Sequence, residues 1–199
     1  MSGRFVAIED LDAVGKTTLA KLTAQKIGGV YYRTPPELFL DECTQIDKNG
    51  VNFDEKRFAF FVKTVVYASS EIKKLTAENR IVIVDRWIWT TFAYHFAANR
   101  LLCKKYENKT QDIMEILLEP SLSILVHISD EQIWLRRMEK RAASNCDQVI
   151  LRNPNLRKDI FQLFLKLNSD FKLVENSGAI DDSAGIIMEL LSSQIMDRR

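Results

Sequence analysis

Near the N-terminus, an apolar run, a glycine-containing loop and a helical pattern follow one another without interruption. The apolar run, Phe5 to Ile8, is typical of a buried strand. Apolar residues then recur at near-helical spacing and predict a helix over 17–27; they are Leu19, Leu22, Ala24 and Ile27. Between the two, the segment Asp10 to Thr17 fits the pattern G-x-x-x-x-G-K-[ST] at every defined position except the first, where Asp10 replaces glycine. This order predicts the phosphate-binding loop of an α/β domain.

The rest of the chain continues the alternation of short apolar runs with longer amphipathic segments. Strands separated by helices predict parallel pairing through right-handed crossovers. We therefore expect a single domain over 1–199 with the three-layer α/β/α fold of P-loop NTPases and a parallel sheet of about five strands. The predicted strands are 5–8, 30–32, 81–84, 122–128 and 172–174, and the predicted helices are 17–27, 52–78, 90–105, 156–171 and two that begin at Asp130 and Ser183. The polar stretch 142–154 is predicted to be a surface loop.

Charge and cysteine content narrow the classes of function. The chain has 28 Lys and Arg residues against 27 Asp and Glu residues, so no nucleic-acid-binding or membrane-binding surface is indicated. No apolar run reaches the roughly 18 residues of a membrane span. Cys43, Cys103 and Cys146 are widely spaced, which supports neither a zinc site nor a disulfide framework. These features predict free thiols and a cytoplasmic location.

The loop residues predict binding of ATP. Backbone N–H groups at a helix N-terminus bind phosphate oxygens, a lysine at the position of Lys16 reaches the β- and γ-phosphates, and the Thr17 hydroxyl is a ligand for Mg²⁺. Asp10 is the discordant residue. Its carboxylate either points away from the nucleotide and is tolerated, or opposes the phosphates and weakens binding. The predicted cofactor-binding residues are Ala13, Val14, Gly15, Lys16, Thr17 and Thr18.

Asp85 and Arg86 stand at the end of the third predicted strand. In parallel sheets, ligands bind at the carboxyl ends of the strands. Asp85 suits Mg²⁺, which keeps several waters, and the forked Arg86 guanidinium binds two phosphate oxygens at once. Each residue also has an ordinary structural interpretation, Asp85 as a helix cap or internal ion pair and Arg86 as a surface ion pair.

Four segments resemble the thymidylate kinase family. Ile8 to Thr18 resembles that family's loop, E-G-x-D-x-x-G-K-[ST]-T, and Val84 to Trp87 resembles its D-R-[YHF] signature, with Trp87 at the aromatic place. Thr90 to Tyr94 resembles the [ST]-x-x-A-[YF] stretch that follows, and Thr34 to Pro36 resembles a divergent branch that includes UMP/CMP kinases.

The resemblance implies a nucleoside monophosphate kinase of nucleotide biosynthesis that uses ATP and Mg²⁺ and assembles as a homodimer. The γ-phosphoryl group of ATP would pass to a pyrimidine nucleotide, with dTMP the leading candidate. Asp12 would contact the acceptor sugar, Arg86 would bind the acceptor phosphate, and Phe61 would stack on the base. The further predicted substrate contacts are Arg33, Pro35 and Tyr94.

Two departures from the family pattern bear on catalysis and specificity. Ala13 stands where some members carry a loop arginine that reaches the γ-phosphate. The positive charge on the transferring group is therefore expected from Arg137 and Arg141, which precede a predicted lid at 142–154. The predicted catalytic residues are therefore Lys16, Asp12, Arg137 and Arg141. Val65 falls where human-type members place an arginine on the nucleotide.

Three alternatives to a dTMP kinase stay open at this point. The Thr-Pro-Pro segment and Val65 favour a dCMP, UMP or CMP kinase. A deoxynucleoside kinase also has a P-loop but phosphorylates a nucleoside. A nucleotide-binding protein with weak catalysis would follow if Asp10 disables the loop.

Overall fold

The computed structural model describes residues 4–48, 50–140 and 144–196. Its centre is a five-stranded sheet in the order β2-β3-β1-β4-β5, with every strand pair parallel. The strands are β1 (Arg4–Asp10), β2 (Val30–Arg33), β3 (Ile81–Asp85), β4 (Leu122–His127) and β5 (Lys172–Glu175). The α/β fold with a parallel sheet, predicted from the sequence, is confirmed.

Helices cover the sheet, and residues of β1, β3 and β4 form the fully buried core between the layers. The helices are α1 (Lys16–Ile27), α2 (Leu40–Asp47), α3 (Glu55–Ala77), α4 (Ile88–Ala98), α5 (Arg100–Tyr106), α6 (Thr110–Glu115), α7 (Glu131–Lys140), α8 (Asn145–Arg152), α9 (Pro154–Leu167) and α10 (Ile180–Met196). Helix α1 packs against α10, whereas α4 packs against α3 and α9. Among the described residues, no helix combines the length and apolar character that a bilayer crossing requires.

Local side-chain chemistry sets several helix starts. The Asp54 carboxylate accepts a hydrogen bond from the Arg57 N–H and caps α3. The Asp130 carboxylate accepts from the N–H groups of Gln132 and Ile133 at the start of α7, where the sequence predicts that a helix begins. Gly15 is the N-cap of α1, and its φ of 92° lies in the left-handed region that favours glycine.

Two sequence predictions of local structure are wrong. The helix predicted over 90–105 is two helices, because Asn99 leaves the helical conformation and its side chain accepts from the Leu102 N–H to cap α5. The loop predicted over 142–154 contains α8, which a reciprocal capping box between Ser144 and Asp147 initiates. Ile150 of α8 is buried in the core, so this helix is held by packing. Residues 142 and 143 lie outside the described residues.

Candidate active site

The carboxyl ends of the strands carry a cavity of about 470 Å³. Parallel strands bring their C-terminal loops to one edge of the sheet, and the segments after β1, β2 and β3 meet there. The cavity is lined by thirteen of the residues that the sequence singled out: Asp12, Ala13, Gly15, Lys16, Thr17, Thr18, Arg33, Pro35, Phe61, Asp85, Arg86, Tyr94 and Arg137. Segments that are distant in sequence therefore share one site.

The loop between β1 and α1 curls over the start of the helix. Ala13 has φ 66° and Gly15 has φ 92°, which turns the backbone around the first N–H groups of α1. A Cβ atom on Gly15 would lie 2.6 Å from the Asn176 Nδ2 atom, so only glycine fits here. Val14 differs from its neighbours, because its side chain is fully buried in the core and does not line the cavity. Any ligand contact of Val14 is therefore limited to its backbone.

Two side chains from outside this loop hold its carbonyl groups in place. Asn176 follows β5 and donates from Nδ2 to the Val14 carbonyl oxygen over 2.6 Å, while its own Oδ1 accepts from Ser183. The indole N–H of Trp134 on α7 donates to the Asp12 carbonyl over 2.8 Å. A buried loop with satisfied carbonyls is rigid, so its N–H groups are fixed for an anion.

Lys16 lies between two carboxylates. Its Nζ atom is 2.7 Å from the Asp85 Oδ1 atom and 3.3 Å from the Asp10 Oδ1 atom, and all three side chains are at most 4% exposed. Burial raises the pKa of Asp10 to about 7, against the opposing charges of Lys16 and Arg86. Burial acts in the same direction on Asp85, but the charge of Lys16 and the hydrogen bonds it receives outweigh burial and lower its pKa to about 2. Lys16 thus pairs with Asp85, whose carboxylate stays ionised at neutral pH, and with Asp10, whose carboxylate titrates near neutral pH.

The sequence leaves two orientations open for the Asp10 side chain. The structure does not show the one that points away from the loop. It is the last residue of β1, where the extended backbone accommodates a side chain without the left-handed φ that would demand glycine. Its carboxylate faces Lys16 and lies 3.9 Å from the nearest Arg86 nitrogen. The carboxylate therefore competes for the lysine that a phosphate would need.

Arg86, Asp12 and Tyr94 form a second connected group that lines the cavity. Arg86 has φ 74° and donates from Nη2 to the Asp12 carboxylate. The Tyr94 hydroxyl accepts from the Asp12 N–H and donates to the Asp12 Oδ2 atom, each over 3.0 Å. Burial raises the pKa of Tyr94 well above its ordinary value, so the phenol keeps its proton. Asp12 is thereby fixed in the cavity wall, with the arginine beside it.

Thr17 and Asp85 provide oxygen atoms for a metal next to the loop. The Thr17 hydroxyl donates to the Asp85 Oδ2 atom over 2.7 Å, and the Tyr31 hydroxyl donates to the same oxygen over 3.0 Å. Within 4–48, 50–140 and 144–196, no three acidic, histidine or cysteine side chains gather into a metal cage. Mg²⁺ bound to a nucleotide needs only one or two protein oxygens, because phosphates and waters complete its shell. The pair Thr17 and Asp85 fits that requirement.

Arg137 reaches the phosphate loop from α7. Its Nη1 atom is 3.4 Å from the Val14 carbonyl oxygen and would be 3.6 Å from a Cβ atom on Gly15. The loop has no arginine of its own, so Arg137 brings a guanidinium to within contact distance of it. Arg141, the other predicted lid arginine, lies outside the described residues.

Sequence reasoning missed a charged group that also lines the cavity. Arg57 of α3, Asp47 at the end of α2 and His95 of α4 all line it, and Arg57 contacts both Asp47 and His95. Asn176, whose side chain donates to the Val14 carbonyl of the loop, was also not predicted individually as a site residue. A signal was available for Arg57, since it precedes the apolar run at 58–62 on a helix that packs into the core.

Comparisons with known proteins agree with this geometry. The family model described as thymidylate kinase matches residues 8–181. A protein named probable thymidylate kinase from Thermoplasma volcanium is 32% identical over 69% of this chain and 72% of its own length, and one of the same name from Pyrococcus horikoshii is 24% identical over 98% of this chain and 99% of its own.

A solved structure of thymidylate kinase from Candida albicans superposes with a TM-score of 0.71 at 18% identity, covering 96% of this chain and 92% of that one. At this identity the superposition shows the fold alone, whereas the family model and the sequence relatives show common descent. The chain, with its loop, its Asp-Arg pair and its cavity in the places described above, belongs to the thymidylate kinase family.

Proposed function

We propose that this chain transfers the γ-phosphoryl group of ATP to dTMP, giving dTDP and ADP. The observation that carries the proposal is that one cavity holds both halves of the required chemistry. Lys16, Thr17 and Asp85 form the donor half at the phosphate loop. Arg86 and Phe61 form the acceptor half, where the Arg86 guanidinium would bind the phosphate and the Phe61 ring would stack on the base.

Phosphoryl transfer depends mainly on in-line positioning and on positive charge around the moving group. In the proposed mechanism, an oxygen of the acceptor phosphate attacks the γ-phosphorus while the bond to the β-phosphate oxygen breaks. Lys16 leaves its two carboxylates and binds the β- and γ-phosphates, and Arg86 holds the acceptor phosphate. Arg33, exposed at the end of β2 and lining the cavity, is a second partner for that phosphate, with Pro35 beside it.

Asp12 and Tyr94 position the acceptor in this proposal. Both residues are buried and joined by two hydrogen bonds, so they form a fixed wall rather than a mobile arm. Asp12 orients Arg86 directly, because its carboxylate accepts from the guanidinium. Thr17 and Asp85 would hold Mg²⁺, which when bound neutralises charge on the β- and γ-phosphates.

Arg137 supplies the charge that the loop lacks. We assign it, with Arg141, to stabilisation of the transferring group, and we assign 142–154 to a lid that closes over the nucleotide. Asn145 of α8 already donates to the carbonyl oxygen of Asp47 over 2.9 Å, so the start of this helix contacts a residue that lines the cavity. Closure would exclude water and protect the phosphoryl group from hydrolysis.

A coupled assay of ADP release across the common nucleoside monophosphates tests the proposed function. We expect the highest kcat/KM with dTMP and a requirement for Mg²⁺. A preference for dCMP, UMP or CMP would assign the chain to the divergent branch instead. Activity with thymidine but not dTMP would indicate a nucleoside kinase, and ATP binding without turnover would indicate a binding protein.

Replacing Asp10 by glycine is expected to tighten ATP binding and raise kcat/KM for ATP about tenfold, equivalent to ~1.4 kcal/mol. The reason is that one of the two carboxylates that hold Lys16 is removed. Because the pKa of Asp10 is about 7, its carboxylate is charged above that pH and largely neutral below it. The advantage of the variant should therefore grow as the pH rises from about 6 to about 8.

Isothermal titration of ATP into both forms, with steady-state kinetics at each pH, measures this effect. The titratable γ-phosphate of ATP is common to both forms, so the difference between them isolates Asp10. Since Asp10 is 2% exposed, salt should change the difference only weakly. Weaker binding by the glycine form would show that Asp10 assists nucleotide binding, and it would contradict the proposed competition between Asp10 and the phosphates for Lys16.

We further propose that the chain forms a homodimer through α3. Apolar side chains lie exposed around Phe39, whose ring contacts Tyr67 of α3 at 5.3 Å; they are Leu38, Leu40, Val66 and Tyr67. Covering such a patch is favourable. In analytical ultracentrifugation we expect a dimer that Tyr67→Glu dissociates, and a wild-type protein that sediments as a single chain would refute this assembly.

The cytoplasmic location stays a prediction from the sequence.

A further inference from the structure

Arg57 is a buried charge that the proposed phosphoryl transfer does not use. It is 6% exposed, it lies on α3, and it lines the cavity. Its Nε and Nη2 atoms donate to the two carboxylate oxygens of Asp47 over 2.9 and 3.2 Å. A buried guanidinium is costly unless it is paired, and this one is paired side-on by a carboxylate. The arrangement fixes the plane of the guanidinium at the cavity wall.

His95 holds the same guanidinium from α4. Its Nδ1 atom lies 2.8 Å from the Thr91 carbonyl oxygen, which can only accept, so Nδ1 carries the proton. The Nε2 atom then accepts from the Arg57 Nη1 atom over 3.3 Å. Burial and the charge of Arg57 lower the pKa of His95 to about 3, so the ring stays neutral and keeps this accepting role.

The contacts with Asp47 and His95 use three of the five N–H bonds of the guanidinium. One N–H on each of Nη1 and Nη2 is left over from these contacts. Arginine cannot accept a hydrogen bond, so whatever meets this edge of Arg57 must offer an acceptor. The cluster therefore presents a donor of fixed orientation.

The guanidinium of Arg57 also lies over the ring of Phe61, the side chain that is predicted to stack on the base. Its Cζ atom is 4.6 Å from the centroid of the Phe61 ring, one helical turn further along α3. One turn beyond Phe61, the cavity wall is Val65, which has no polar group. A base next to Phe61 thus meets its charged donor on the Arg57 side.

We propose that Arg57 reads the pyrimidine base by donating to the carbonyl oxygen at ring position 4, which favours thymine and uracil over cytosine. Position 4 is the part of the ring opposite the sugar, so it is the part that enters the cavity furthest. Cytosine carries an amino group there, and a donor facing a donor leaves both unpaired in a buried site. Asp47 and His95 are positioning residues. This inference rests on the proposed function, since it assigns specificity within the same site.

The test compares kcat/KM for dTMP, dUMP and dCMP in the wild type, in a control variant and in three test variants, which are Arg57→Met, Arg57→Lys and Asp47→Asn. Lys56→Met is the matched control, because Lys56 is the exposed neighbour of Arg57 on α3. We expect Arg57→Met to lower kcat/KM for dTMP and dUMP by about tenfold or more, mainly through KM, and to change dCMP by less than about threefold. The KM for ATP should not change. Asp47→Asn should lower the dTMP-to-dCMP ratio by a smaller factor, and Lys56→Met should leave it unchanged.

The ratio separates base reading from a purely structural role. Equal losses for dTMP and dCMP in a folded variant would overturn the inference, and so would an unchanged ratio. If Arg57→Met does not fold, Arg57→Lys carries the test, because it keeps the charge but loses the fork. A wild-type protein that phosphorylates dTMP while the variants retain its preference refutes only the role of Arg57. A wild-type protein that phosphorylates no pyrimidine nucleotide refutes the proposed function, and this inference with it.

Discussion

Replacing Lys16 by methionine is expected to lower kcat by about two orders of magnitude or more, equivalent to ~3 kcal/mol or more of transition-state stabilisation. Lys16 is the cation at the start of α1 beside the loop, and it is held within 2.7 Å of Asp85, the proposed metal ligand. Methionine has a similar length and no charge, so the loop geometry is retained while the charge on the β- and γ-phosphates is lost. Steady-state kinetics with dTMP and ATP measure the effect.

Lys26→Met is the matched control for this prediction. Lys26 lies on the same helix and pairs with Asp181 at the surface, away from the cavity. We expect turnover close to wild type from this control. Near-normal turnover by Lys16→Met would contradict the assignment of Lys16 to the transferring phosphoryl group.

Arg137→Ala is expected to lower kcat by about two to three orders of magnitude, with a smaller effect on ATP affinity. Its guanidinium already lies 3.4 Å from the Val14 carbonyl of the loop, and the loop has no arginine of its own. Charge that is delivered on closure stabilises the transition state more than the ground state. We expect the same direction of change for Arg141→Ala.

The control for Arg137 is its neighbour Arg136, whose Nε atom donates to the Gln132 carbonyl of its own helix at an exposed position. Arg136→Ala should leave kcat within about twofold of wild type, because surface substitutions of this kind have small effects. If Arg137→Ala and Arg141→Ala raised only KM, both arginines would be ground-state binders. The proposed lid mechanism would then fail.

Much of the fold can be predicted from the sequence because buried parallel strands are short apolar runs. The runs at 5–8 and 81–84 correspond to β1 and β3, and the strand-loop-helix order places the loop correctly. The errors arise where one polar side chain decides the local structure. Asn99 ends one helix and caps the next, and Ser144 starts a helix in a segment without clear periodicity. Helices α2 and α6 have no fully buried residues, so they leave no periodic apolar signal.

The site residues that could be predicted are close together in the sequence, whereas those that could not are far apart. The loop residues and the Asp85-Arg86 pair are contiguous motifs, so residue types and spacing alone indicate their chemistry. The contacts among Arg57, Asp47 and His95 join three helices. No local pattern predicts them, because packing of α2, α3 and α4 brings these residues together.

Asp10 shows what a motif leaves undetermined. The mismatch with glycine is visible in the sequence, and it suggests either repulsion of the phosphates or a side chain turned away. The structure instead pairs Asp10 with Lys16, the residue that the phosphates require. Partner choice depends on the register of β1 beside β3, which places Asp85 on the other side of the same lysine.

The most direct measurement of the central claim follows the phosphoryl group itself. The protein is incubated with ATP labelled in the γ-phosphate, with Mg²⁺ and with either dTMP or thymidine, and the labelled products are separated. We predict label in dTDP, formed in equal amount to ADP, and none in a product of thymidine. Label that stays in ATP, is released as inorganic phosphate or appears on thymidine would contradict the assignment of this chain as a dTMP kinase.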